Sequence, residues 1–283
     1  MSLKQIMVIG AGQMGSGIAQ VLASSGFNVI LNDISQEKAR IGLSQIEKQL
    51  SKQLQKGKMD QNQVNEILTK IKISASLQDA QDADVVIEAA VENMEIKQSI
   101  FKQLDEIAPK HTILATNTSS LPITEIAAVT TRAENVIGMH FMNPVPVMKL
   151  VEIIRGLATS EQTYQIVHDL TLKLNKTPVE VNDFPGFVSN RVLMPMINEA
   201  IYTIYEGVAT KEAVDEVMKL GMNHPMGPIT LADFIGLDTC LYVMETLYDG
   251  FGDDKYRPCP LLKKYVKAGW LGRKTKRGFY IYE

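Results

Sequence analysis

The stretch "VIGMHFMNPVPVMKLVEII" carries His140 and Glu152 on two apolar runs joined by a proline-containing turn. A neutral imidazole can accept a hydroxyl proton near pH 7, and a carboxylate bonded to its other ring nitrogen fixes the tautomer and stabilises the imidazolium. That is the proton chemistry a dehydrogenase needs when hydride leaves the carbon of an alcohol. If the two runs are strands that pair as a hairpin, Glu152 folds back beside His140. Asn143 lies in the same stretch, Asn117, Ser119 and Ser120 lie in "ATNTSS", and Asn190 lies in "GFVSNR". Singly, each residue has a plainer use. Histidines end many strands, serines and asparagines cap helices, a glutamate can be a solvated strand residue, and His111, His168 and His224 show how little residue type alone says.

A hydride acceptor must therefore be legible elsewhere, and the N-terminus supplies one. "KQIMVIG" reads as a buried strand, "SGIAQVLASSG" as a small-residue helix, and "NVILND" as a second strand. Gly10, Gly12 and Gly15 fall in the first turn, and Asp33 ends the second strand about 20 residues on, as the dinucleotide fingerprint requires. Gly10 permits the turn, Gly12 lets the backbone approach a pyrophosphate, and Gly15 lets the helix sit close to the strand. The helix N-terminus then faces the phosphates. Asp33 can accept hydrogen bonds from a ribose diol and would repel a 2′-phosphate, which favours NAD over NADP.

Beyond this unit, residues 35–72 read as helical and broken at "KGKMD", a helical hairpin inserted between strands. "ADVVIEAA" reads as a strand, "MEIKQSIFKQLDEIA" as a helix with Ile96, Ile100, Leu104 and Ile107 on its apolar face, and "HTILATNTSS" as another strand. "VIGMHF", "MKLVEII" and "PVEVN" add strands around a helix over 161–174. Alternating strands and helices predict an α/β fold: an N-terminal Rossmann-like, doubly wound sheet with the inserted hairpin, over 1–185. After "DFPGF" the pattern changes to helices over 188–205, 210–220, 228–248 and 260–268, an all-α C-terminal domain over 186–283. Ligands of open α/β sheets collect beyond the carboxyl ends of the strands, and a second domain packed there would close a cleft onto Ser119 and His140.

Bulk properties narrow the partners. In 283 residues, 32 acidic side chains nearly balance 29 basic ones, with no long block of either sign, so neither nucleic acid nor a membrane surface is expected. The two cysteines, Cys240 and Cys259, form no metal-ligand spacing, so no metal is expected and a reducing compartment fits. No signal-peptide core or membrane-length apolar run is evident, and the reading is cytoplasmic.

"GAGQMGSGIA", "ATNTSSLPIT", "GMHFMNPVPVMKLVEII", "DFPGFVSNR" and "HPMGPITLADFIGLD" together resemble the 3-hydroxyacyl-CoA dehydrogenase family, from the first strand to "RGFYIYE". The resemblance implies NAD-dependent interconversion of an (S)-3-hydroxyacyl-CoA and a 3-oxoacyl-CoA. Length without a fused hydratase resembles the bacterial short-chain members, and so implies 3-hydroxybutyryl-CoA and acetoacetyl-CoA. It assigns the acid-base pair to His140 and Glu152, and it adds Ser119 and Asn190 to the catalytic set as the residues that bind substrate. Cofactor contacts carry over to the glycine loop with Gln13 and Met14, to Asp33, Glu92, Lys97, Asn117, Ser119 and Asn143, and to Lys274. The helical domain resembles a dimerisation unit, implying a homodimer. One departure is "KTKRGFY", where Lys276 replaces a glycine suited to a positive-φ turn.

Two other readings compete. A dehydrogenase of another 3-hydroxy acid, such as a sugar acid, could use the same histidine and glutamate. It would not need basic residues on the hairpin for a nucleotide 3′-phosphate, whereas Lys52 and Lys56, one helical turn apart, suit CoA. A non-enzymatic dinucleotide-binding protein would be expected to have lost His140 or Glu152, and both are present.

Overall fold

The computed structural model describes residues 3–283, which form two compact units that part between Asp183 and Phe184. In the first, β1 (Gln5–Ile9), α1 (Gln13–Ser24) and β2 (Asn28–Asn32) make the β-α-β start. The hairpin follows as α2 (Gln36–Gln55) and α3 (Gln61–Thr69). Both of its helices begin at side-chain caps: Ser35 accepts from the Lys38 amide, and Asp60 and Gln63 form a reciprocal capping box. Buried Ile46, Leu50, Val64 and Ile67 fasten the hairpin to the same apolar cluster as β1 and β2.

The helical reading of 35–72 runs too far. Ile71–Ser74 is a strand, β3, parallel to β2. Four residues are too few to show a period of their own, and what makes them a strand is the ladder that the edge of β2 offers.

β4 (Val85–Glu88), α4 (Met94–Ile107), β5 (Ile113–Thr116), α5 (Ile123–Ala127), β6 (Val136–Phe141), β7 (Leu150–Arg155), α6 (Glu161–Lys173) and β8 (Thr177–Asn182) complete the unit. Among the described residues the sheet has eight strands in the order β3-β2-β1-β4-β5-β6-β7-β8. Ile6 and Val8 of β1, Val29 and Leu31 of β2, and Val85 and Ile87 of β4 share one cluster with α1, α2 and α3. Met7, Ile30 and Val86, equally buried, alternate to the opposite face, as the two-residue strand period demands. Both faces are thus covered, in keeping with the doubly wound expectation.

On α4 the buried face is not the one the isoleucine spacing suggests. Lys97, Phe101 and Leu104 are buried, whereas Ile96 is exposed and Ile100 and Ile107 are only partly covered. The aromatic ring of Phe101 and an ion pair on Lys97 win the inner side.

The second unit contains α7 (Ser189–Tyr205), α8 (Lys211–Gly221), α9 (Pro228–Ile235), α10 (Leu237–Phe251) and α11 (Pro260–Lys267) around a core that includes Ile197, Ile201, Ile229, Leu237, Met244 and Leu247. The single helix expected over 228–248 is two, parted at Gly236, whose φ of 106° ends α9. Apolar residues run straight across this break, so the pattern could not mark it. Buried Asp233 accepts from the Phe279 and Tyr280 amides and the Tyr282 hydroxyl, tying the C-terminal segment to α9. Lys276 there adopts φ 57°, the left-handed turn anticipated for its position.

A Cβ on Gly15 would overlap the Gly10 carbonyl oxygen. Gly15→Ala must therefore push α1 away from β1, at an expected cost of about 1–3 kcal/mol for overpacking. Urea unfolding measures it, and a parental midpoint would show that the helix tolerates the displacement.

Candidate active site

β6 and β7 are joined by 142–149, a connection too short for a crossover helix, so they pair antiparallel while their neighbours pair parallel. The register sets His140 directly opposite Glu152. Directly opposed residues put their side chains on one face, and His140 Nδ1 lies 2.8 Å from Glu152 Oε2. His140 is 8% exposed and Glu152 2%. With an ionised Glu152 accepting from Nδ1–H, the neutral ring carries its lone pair on Nε2.

The turn between these strands is braced from below. Buried Lys176 donates through Nζ to the carbonyls of Val145 and Met148, each at 2.6 Å. Burial, and then the nearby Lys149 charge, push its pKa below the usual lysine value. Within the turn Asn143 Oδ1 accepts from Gln13 Nε2 at 3.0 Å, which links it to the first residue of α1. Asn117 Oδ1 accepts from the Phe141 amide at 2.9 Å, tying the end of β5 to the end of β6.

The glycine loop has the shape the cofactor reading requires. Gly10 has φ 94°, and a Cβ on it would meet the Ala89 carbonyl oxygen at 2.5 Å. Gly12 is the N-cap of α1 with no side-chain capping bond, and a Cβ there would meet nothing within 4 Å. The first amides of α1, those of Gln13 and Met14 among them, therefore lie behind an open backbone surface suited to an anion. Asp33 Oδ2 accepts from the Ala11 amide at 2.7 Å and Oδ1 from the Ile34 amide at 2.8 Å, so its carboxylate is held against this loop. These residues fit a dinucleotide.

Past the carboxyl end of β4 lies a polar cluster that sequence reading saw only in part. Glu92 Oε1 accepts from Thr118 Oγ1 at 2.7 Å, the Ser119 amide at 2.8 Å, Ser119 Oγ at 3.1 Å and Ser120 Oγ at 3.3 Å. Burial acts to raise the Glu92 pKa, but the Lys97 charge and the bonds from Thr118 and Ser119 outweigh it and hold the group below its usual value. Lys97 is buried, with Nζ 3.5 Å from Glu92 and 2.7 Å from Glu88. Glu88 is nearly silent in the sequence. Its only signal there is a carboxylate ending the otherwise apolar run "VVIE".

The other residues named from the sequence fall on these elements. Lys52 is in the last turn of α2 and Lys56 is its C-cap, both exposed. In the second unit, Asn190 lies in the first turn of α7, and Lys274 Nζ bonds Asp238 at 2.6 Å. Burial pushes the Cys240 thiol up to about 12, which leaves it no nucleophilic thiolate near neutral pH. Among the described residues no group of three or more His, Cys, Asp or Glu is placed to hold a metal ion.

Because the Glu92 pKa is depressed on folding, the charged form stabilises the fold above the ordinary carboxylate value of 4.5, and that contribution fades as pH falls through the lowered one. Glu92→Gln should therefore melt below the parent at pH 7, with the gap narrowing as the pH drops beneath 4.5. Melting curves across pH read this out, and a gap independent of pH would deny Glu92 its stabilising charge.

Residues 5–184 match the family model for the 3-hydroxyacyl-CoA dehydrogenase NAD binding domain, and residues 186–282 match the one for the 3-hydroxyacyl-CoA dehydrogenase C-terminal domain. A probable 3-hydroxybutyryl-CoA dehydrogenase of Bacillus subtilis is 67% identical over 100% of this chain and 99% of its own. The human mitochondrial hydroxyacyl-coenzyme A dehydrogenase is 42% identical over 99% of this chain and 92% of its own. The crystal structure of (S)-3-hydroxybutyryl-CoA dehydrogenase from Ralstonia eutropha superposes with a TM-score of 0.97 at 51% identity, covering 100% of both chains. The chain belongs to the 3-hydroxyacyl-CoA dehydrogenase family.

Proposed function

We propose that this protein interconverts (S)-3-hydroxybutyryl-CoA and acetoacetyl-CoA with NAD, using His140 as acid and base. The observation that carries the reading is the 2.8 Å contact between His140 Nδ1 and Glu152 Oε2 across directly paired strand positions. Bound at the glycine loop, NAD supplies the hydride acceptor. His140 takes the substrate hydroxyl proton at Nε2 and returns it in the reverse direction, while Glu152 keeps the tautomer and stabilises the imidazolium. Ser119 and Asn190 bind the substrate. Gln13, Met14, Asp33, Glu92, Asn117, Asn143 and, from the C-terminal segment, Lys274 serve the cofactor, with Lys97 behind Glu92. The names carried by the relatives support the CoA thioester over other 3-hydroxy acids.

Around the chemistry, the finer assignments follow the same reading. Residues 1–185 bind the cofactor, while 186–283 contribute to substrate binding and form a homodimer. Exposed Val192, Val208, Val217 and Leu220 of the second unit give that surface an apolar character. The absence of any helix long and apolar enough to cross a membrane among the described residues is compatible with work in the cytoplasm.

His140→Asn should bind NADH and acetoacetyl-CoA yet lose about 10²- to 10⁴-fold in turnover, the usual cost of removing a general acid-base group. Glu152→Gln should also lose turnover while keeping its fold. Stopped-flow traces of NADH consumption measure both, and a near-parental rate in His140→Asn refutes the assignment.

Lys52 and Lys56 are assigned to the CoA 3′-phosphate, far from the reacting carbon, so their contact should be equal in ground and transition states. Lys56→Ala, and more so Lys52→Ala/Lys56→Ala, should raise KM for acetoacetyl-CoA and leave kcat nearly unchanged. A pantetheine thioester, which lacks the phosphate, should be used as the parent uses it. Equal losses with both substrates would reduce the lysines to a solvated helix face.

A further inference from the structure

Glu88 has no part in the function just proposed, yet its surroundings are built with care. It ends β4 and is 0% exposed. Its carboxylate accepts from Lys97 Nζ at 2.7 and 2.9 Å, from Thr116 Oγ1 at 2.6 Å and from the Ala90 amide at 2.7 Å. Buried ion pairs seldom stabilise a fold more than apolar packing of the same shape, because desolvating two charges offsets their attraction. A stability role alone is a poor account of this one.

Lys97 faces two carboxylates and serves them unequally. It grips Glu88 with both oxygens in reach and stands 3.5 Å from Glu92 Oε2. The other oxygen of Glu92 is occupied by Thr118, Ser119 and Ser120, and it is the group that receives both the Ser119 amide and the Ser119 hydroxyl. A buried ammonium cannot remain without a counter-charge. With Glu88 neutral, Lys97 would close on Glu92, and Glu92 would turn from Ser119 toward the stronger, charge-assisted bond.

We propose that Glu88 is a positioning residue for Ser119. By holding Lys97 back from Glu92, it leaves Glu92 Oε1 to fix the backbone and hydroxyl of the substrate-binding serine. Thr116, whose hydroxyl donates to Glu88, and the Ala90 amide hold the carboxylate in turn. The inference rests on the substrate role of Ser119 proposed above. It adds a residue from the floor of the sheet, which touches no substrate, to the machinery of the site.

A double-mutant cycle between Glu88→Gln and Ser119→Ala tests it, with kcat/KM for acetoacetyl-CoA measured well below the melting temperature of every variant. In the parent background Glu88→Gln should cost about 10-fold or more, the order expected when a binding group is displaced by a fraction of an ångström to an ångström. In the Ser119→Ala background it should cost almost nothing, because the group it positions is gone. Losses that multiply, as a general weakening of the fold would give, overturn the proposal, and so does a parental rate in Glu88→Gln. Parental activity in Ser119→Ala alone would instead remove the substrate role of Ser119 and with it this inference. Should Glu88→Gln fail to fold, Glu88→Asp keeps the charge but draws the carboxylate back from Lys97, and it leaves the Thr116 bond to the Thr118 amide in place. Its smaller loss in the same cycle must likewise vanish in the Ser119→Ala background.

Discussion

β6 and β7 run antiparallel in a sheet whose other strand pairs are parallel, and the chemistry of the site hangs on that reversal. A parallel neighbour would have needed a crossover and would have carried Glu152 away along the chain. The tight connection instead returns it opposite His140, where the ladder fixes the separation of the two Cα atoms and the pleat fixes the direction of the two side chains. In the proposed role of general base, a histidine held in this way would enter the reaction already oriented, which lowers the reorganisation that would otherwise fall in the transition state.

The buried charges of the first unit are arranged by a similar logic. Glu88, Lys97 and Glu92 form one group at the ends of β4 and β5, and His140 with Glu152 form another on β6 and β7. In each, the most buried carboxylate faces a cation or a group that becomes one. Breaking such pairs costs several kcal/mol, although forming them stabilises little. The sheet therefore tolerates them where they orient something and is apolar along the strand interiors, as the runs Ile6–Ile9 and Val85–Ile87 show. Arg132, buried against Asp105 and the carbonyls of Asp105, Ala108 and Pro109, is the structural counterpart, holding the end of α4.

Legibility in the sequence follows from how far apart the interacting residues lie. The glycine turn and Asp33 were readable because their causes are local: a backbone that must turn and a helix that must sit close. The hairpin that unites His140 and Glu152 was readable because both strands and their connector occupy one short stretch. The left-handed turn at Lys276 was readable only through the resemblance, which has a glycine there; the lysine itself carries no mark of it. β3 was not, since four residues take their conformation from the edge of β2. The break at Gly236 was hidden by apolar residues on both sides. The inner face of α4 was misread because a lysine looks solvent-bound until its partner is known, and Glu88 is disclosed only by the strand packed beside the helix.

Function divides across the fold in a way these distances explain. The groups assigned to bond-making sit on strands, where the ladder register sets them opposite one another at hydrogen-bond distance. The lysines assigned to the nucleotide end of the substrate sit instead on an exposed helix of an inserted hairpin. A remote phosphate needs only Coulomb attraction, which falls off slowly and forgives displacement, whereas proton transfer needs hydrogen-bond distance. The hairpin is fastened to the core through Ile46, Leu50, Val64 and Ile67 and leaves its polar face to solvent. Such an element can change its charges without disturbing the sheet. Selectivity for what is attached to the substrate can therefore vary independently of the reaction performed on it.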